Sequence, residues 1–126
     1  MKLNVGDIIN CYDGIRGFLG FDMDADIAHK LSMMLEKLED EYKKYAILQD
    51  ALIEKYGEIL DGKKVITENS SGWEDFSNEI SVIRAQEIEV KVYTIKAETL
   101  KGIKAPGKFA ASFRKLITSS EVLEEA

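Results

Sequence analysis

The chain is short of several things that usually announce a function. Its 126 residues include one cysteine, Cys11, so no intramolecular disulfide can form and a disulfide scaffold is excluded. One histidine, His29, beside that single thiol leaves no His/Cys set for a zinc site. One proline, Pro106, excludes collagen-like or proline-rich character. No segment reaches the roughly 20 consecutive apolar residues that a membrane-spanning helix needs, so no membrane partner is expected. The opening Met1-Lys2-Leu3-Asn4-Val5-Gly6-Asp7 does not build a signal peptide, and Asp7, Asn10, Asp13 and Arg16 interrupt the apolar stretch that follows. A reducing, cytoplasmic setting is the expectation. Positive charge is also in deficit. Lys and Arg number 17 against 23 Asp and Glu, a net charge of −6, where a general nucleic-acid coat would be basic.

What is present is enough for one core. Apolar residues make up 45% and charged residues 32%, in one domain expected over residues 1–118 with an acidic tail over 119–126. Val5, Ile8, Ile9, Tyr12, Ile15 and Leu19 recur at helical spacing and predict a first helix over 7–19, with Gly14 and Gly17 inside it. Asp22 or Asp24 is positioned to cap the next helix by accepting from its free N–H groups. The strongest stripe is Ile27, Leu31, Met34, Leu38, Tyr45, Leu48, Leu52 and Tyr56, a helix over 25–56 stopped by Gly57. Acid–base pairs four apart flank it: Asp26 with Lys30, Glu39 with Lys43, Asp40 with Lys44.

Asp61-Gly62 marks a turn before a short strand over 63–66. After the loop Asn69-Ser70-Ser71-Gly72, the series Trp73, Phe76, Ile80, Ile83, Glu87 predicts a third helix returning antiparallel along the second. Ile88, Val90 and Val92 alternate with Glu89, Lys91 and Tyr93, the pattern of a half-buried strand within 88–95. Leu100-Lys101-Gly102 closes that segment, and Pro106 starts a last helix carrying Phe109, Phe113, Leu116 and Ile117. The expected fold is therefore α+β and mainly α. A long antiparallel helix pair forms its spine, with flanking short helices and one small β-sheet from 63–66 and 88–95.

Charge is unevenly placed. Residues 21–61 hold 11 acids and 5 bases, whereas 91–115 hold Glu98 against seven bases. The basic segment either docks near the acidic helix or, with it, forms partner-binding faces of opposite sign. Glu36, Glu39, Asp40 and Glu41 are the candidate partner-binding residues.

Motifs that would carry chemistry fall short. Gly102 to Lys108 has phosphate-loop spacing, but Phe109 stands where a Ser or Thr should hold magnesium. Asp22-Met23-Asp24-Ala25-Asp26 begins like a calcium loop, but Ile27 replaces its glycine and Met33 its final glutamate. Cys11 and His29 are the one conceivable nucleophile pair, and Cys11 sits in an apolar run where a free thiol is usually a small hydrophobe. Gly14, Gly17 and Gly20 follow no strand, so they read as close helix packing or a flexible helix end rather than a dinucleotide fingerprint. Trp73 reads as an anchor over a helix pair. No enzyme activity, cofactor or metal is expected.

The order of features has a likeness. A Met1-Lys2-Leu3 start leads into Ile8-Ile9-Asn10-Cys11-Tyr12. A long charged helix ends in Tyr56-Gly57, followed by Asp61-Gly62-Lys63, Trp73-Glu74-Asp75-Phe76, Glu87-Ile88-Glu89-Val90 and Leu100-Lys101-Gly102. Over residues 1–118 this resembles an uncharacterised family of small proteins encoded by phages and prophages of Gram-positive bacteria. The chain departs from that pattern in its glycine-rich first helix and its basic Gly107-Lys108. The resemblance implies a viral or prophage origin and a role through protein contacts. Together with the long helix pair and the lack of a catalytic constellation, the expectation is a non-enzymatic protein acting in particle assembly or as a minor virion component. The alternative is a host-directed inhibitor whose acidic helix stands in for nucleic acid. Expected partners are a phage structural protein, a host protein or a second copy, the last burying Leu48 and Leu52. The expected location is the cytoplasm of an infected cell, or the virion.

Overall fold

In the computed structural model, residues 1–118 are described. The expected acidic tail over 119–126 lies outside them. The elements run β1 (Lys2–Asn4), α1 (Val5–Phe18), α2 (Ala25–Tyr56), β2 (Glu58–Leu60), β3 (Lys63–Val65), α3 (Trp73–Ala85), β4 (Glu87–Glu89), β5 (Ile95–Lys96), α4 (Ala97–Leu100), α5 (Gly107–Ser112), a 3-10 turn (Arg114–Leu116) and β6 (Ile117–Thr118). The mainly helical α+β class is as read from the sequence.

Helix α1 starts two residues before the predicted point because Asn4 caps it. The Asn4 side chain accepts from the Asp7 N–H at 2.7 Å, and the Asp7 carboxylate accepts from the Asn4 N–H at 3.4 Å. Nine of its fourteen residues are buried, since it is covered on more than one side. Helix α2 keeps the predicted bounds. Asp24 occupies its N-cap position but makes no side-chain capping bond, so it acts there as a charge near the positive helix end.

At about 1.5 Å per residue, α2 is about 48 Å long, and no single helix matches it. Its companion is composite. Tyr12 of α1 stacks on Tyr42 at 3.9 Å between ring centres, and Val5 and Ile9 pack around Tyr45. Thus α1 runs antiparallel along the first two-thirds. Helix α3 starts with Gly72 against the Tyr56 backbone and ends with Arg84 donating to the Tyr45 hydroxyl at 3.2 Å, so it runs antiparallel along the last third. The two short helices meet end to end, where the Val5 N–H donates to the Gln86 carbonyl at 2.9 Å. In place of one long returning helix there is this pair, because α3 ends at Ala85 and Glu87–Glu89 turn into a strand.

The single small sheet predicted from 63–66 and 88–95 is corrected to three two-stranded pairings. β3 pairs antiparallel with its neighbour β2, β4 antiparallel with β1, and β5 parallel with β6. Asp61 and Gly62 both have positive φ, 52° and 80°, the turn that matches a tight hairpin, so β3 finds its partner two residues away. The predicted last helix is also shorter. It breaks at Phe113, which leaves helical geometry so that Phe113 and Leu116 both point inward, fully buried.

The main core lies at the proximal end, meaning α1, the first two-thirds of α2, and the segment from β4 to β6. Ile8, Ile15, Leu31, Leu38, Phe113 and Leu116 are fully buried there. The glycines of α1 serve close packing. A Cβ at Gly14 would stand 2.8 Å from the Phe109 carbonyl oxygen and 2.6 Å from the Ser112 Cβ, and one at Gly17 would meet the Phe109 ring. The distal end comprises the rest of α2, the β2–β3 hairpin and α3.

Candidate functional site

The four acidic candidates share α2 but do not converge. At about 100° per residue, Glu36 and Asp40 fall on the face opposite Leu31, Leu38 and Tyr45, while Glu39 and Glu41 fall on its two flanks. Glu39 pairs with Lys43 at 3.2 Å, as read from the sequence. Lys44 pairs with Glu41 at 3.2 Å instead of the expected Asp40, and Asp26 and Lys30 form no ion pair. Glu36 and Asp40 are exposed and have no ion-pair partner among the described residues. Two outward carboxylates four residues apart therefore remain of the proposed cluster. Among the described residues no three His, Cys, Asp or Glu side chains converge as a metal ion would need.

The basic segment docks at the proximal end. Lys115 Nζ lies 2.8 Å from the Asp7 carboxylate, tying the chain after α5 to the start of α1. Lys101 lines a hollow with Asp22 and Asp24, so part of the opposite charge is brought together.

Cys11 and His29 are not brought together. Cys11 is buried in the proximal core, and His29 is exposed on the outward face of α2. Burial, followed by the Asp7 carboxylate, pushes the Cys11 thiol up to about 11, so it stays protonated and poorly nucleophilic at neutral pH. The segment resembling a phosphate loop is a turn with Gly102 at φ 86°, leading into the six-residue α5. Its Phe109 packs on Gly17 and against Phe21, with 5.7 Å between ring centres. Trp73 is half-buried at the start of α3 beside Phe76, 5.8 Å between ring centres, as an anchor would be.

Two surfaces stand out. The first is the distal end, which the sequence marked only through Leu48 and Leu52, as residues that a second copy would bury. Between residues 46 and 86, Phe76 is the one buried apolar side chain among the described residues. Of the seven large apolar side chains exposed in the described chain, five lie there: Ile47, Leu48, Ile59, Leu60 and Val82. Leu48 had been assigned to the stripe, and it is exposed because α3 covers another part of the helix surface. Ile47, off the stripe, is 70% exposed, and Ile59 at the hairpin is 74% exposed. The second surface is a cleft between α2 and residues 90–99, where Met33 and Tyr93 meet several lysines. The available signal was Met33, an apolar residue lying beside the main stripe.

Comparison of the chain with protein-family models, with curated proteins and with solved structures finds no match.

Proposed function

We propose that this protein works by protein–protein contact, as a phage-encoded component of particle assembly or a minor part of the virion, with the distal end as its contact surface. The observation that supports this most is that five of the seven exposed large apolar side chains of the described residues, Ile47, Leu48, Ile59, Leu60 and Val82, lie at this end. Where such side chains join into one contiguous patch they mark a protein-binding surface, and this reading takes the distal end to form that patch. The phage assignment rests on the sequence resemblance. The test has two parts: mass in solution by light scattering, and cross-linking within purified particles. An oligomer, or cross-links to head or tail proteins, is the expected result, reduced by Ile47→Ser and Ile59→Ser. A monomer that contacts no phage structural protein would count against it.

One observation favours the second reading, a host-directed inhibitor. Glu36 and Asp40 are exposed and unpaired on the outward face, about 6 Å apart along the axis. They offer fixed negative charge to a basic host protein. Reversing both to Lys should then abolish binding to such a target, and unchanged affinity would sink this version.

A further inference from the structure

The sequence from Ile88 to Ile95 reads as one strand, yet among the described residues only its two ends are paired. Glu87–Glu89 pair with β1, and Ile95–Lys96 pair with β6. At Val90 the ladder closes: its N–H donates to the Met1 carbonyl at 2.9 Å, and its carbonyl accepts from the Met1 amino group at 3.2 Å. Beyond it, Lys91, Val92 and Tyr93 have no backbone hydrogen-bond partner among the described residues. They nonetheless continue the period-two burial of a strand, with Val90 and Val92 inward and Lys91 and Tyr93 outward. Residues 90–94 belong to no strand, and backbone groups left unpaired beside a sheet are a template for an added strand.

The surroundings select the kind of strand. Tyr93 lines two hollows, one of about 490 Å³ that it shares with Met33, Met34 and Ile95, and one of about 450 Å³. The Lys37 ammonium lies 5.9 Å from the centre of the Tyr93 ring. Lys30 and Lys96 line the first hollow, and Lys37 and Lys91 the second. None of these four lysines forms an ion pair among the described residues. The one carboxylate lining either hollow, Glu89, is held by the Met1 amino group at 3.0 Å. The cleft is thus apolar within and positively charged along its rim.

We infer that residues 91–93 are a docking edge for an extended acidic segment of a partner protein. That segment adds a strand beside Lys91–Tyr93, sets aliphatic side chains over Met33, Met34 and Ile95, and presents carboxylates to the lysines. Main-chain bonds would supply affinity and the charged rim selectivity. This surface is separate from the distal one and does not depend on the phage assignment.

The probe is a fluorescent peptide of alternating Glu and Val, titrated into the full chain by anisotropy. Controls are the same peptide N-methylated on alternate residues and a Lys/Val counterpart. The acidic peptide should bind and protect the Lys91–Tyr93 amides from hydrogen exchange. N-methylation should weaken it by roughly tenfold or more, and Lys37→Glu with Lys96→Glu by a similar factor. The basic peptide should not bind. Equal affinity for the N-methylated peptide would reduce the effect to surface charge and overturn the proposal, as would absence of binding to the full chain. Binding seen only after Glu121, Glu124 and Glu125 are changed to Gln would assign the cleft to the chain's own last residues, and would also overturn it. Because the decisive change lies on the peptide, loss of binding cannot be blamed on a variant that fails to fold.

Discussion

The two ends of α2 carry the same apolar rhythm in sequence and meet different fates. Toward the proximal end, Leu31, Met34 and Leu38 are buried beneath α1 and the segments that follow α3, and Tyr45 beneath α1 and the end of α3. Toward the distal end, Leu52 and Tyr56 are half-buried and Leu48 is exposed, because one short helix and a hairpin cover that third. Periodicity states which face of a helix wants cover. It does not state how much cover arrives. Stability is therefore expected to be uneven, with the distal end opening locally more easily than the proximal core.

The comparison breaks most sharply if one substitution is made at both ends. Phe113→Ala empties a fully buried proximal site and should cost about 3–5 kcal/mol in urea unfolding. Phe76→Ala should instead speed amide exchange in α3 while leaving α1 protected; equal loss of protection in both helices would show one cooperative unit. Next is Cys11. Its thiol in the folded chain keeps its proton to about pH 11, while in the unfolded chain it releases it near 9.0. The unfolded state binds fewer protons in that window, so stability should fall as pH rises from about 9 to 11, by at most about 3 kcal/mol. Cys11→Ala should remove that part of the pH dependence, read from unfolding midpoints across the window.

Gly14→Ala comes third, at about 1–3 kcal/mol, because its Cβ would press on α5 backbone. Gly17→Ala should cost less, since a Phe109 ring can turn aside where a carbonyl cannot. The smallest effect belongs to the joint between the two ends. Tyr45→Phe removes the acceptor for Arg84 and should cost about 0.5–1.5 kcal/mol by the same denaturation assay.

Much of this was legible beforehand, for reasons that differ by element. Helix α2 was readable to its end residues because its signal repeats over many turns and Gly57 follows. The Asp61-Gly62 turn was readable from two residues. Strand partners were not. Strands of two or three residues carry too little pattern to name their mates, so 63–66 was joined to 88–95 when it belongs to 58–60. The acidic candidates were readable as charges but not as an arrangement. Helix geometry aims Glu39 and Glu41 to opposite flanks, and nearby lysines neutralise both. The lysine-rimmed cleft was the least legible, since it draws Lys30 and Lys37 from one helix and Lys91 and Lys96 from a segment some sixty residues later.

Local chemistry in the sequence was enough to determine the long helix and its apolar face and the Asp61-Gly62 turn. Each rests on hydrogen bonds or turn angles among residues a few positions apart, where little chain entropy opposes them. Tertiary structure alone decided that α2's companion is two helices laid end to end, that β1 pairs with β4, and that Leu48 stays in solvent while Leu38 does not. Those outcomes depend on closing loops of tens of residues, and on a fixed amount of apolar cover being spent at one end of a helix too long to be covered throughout.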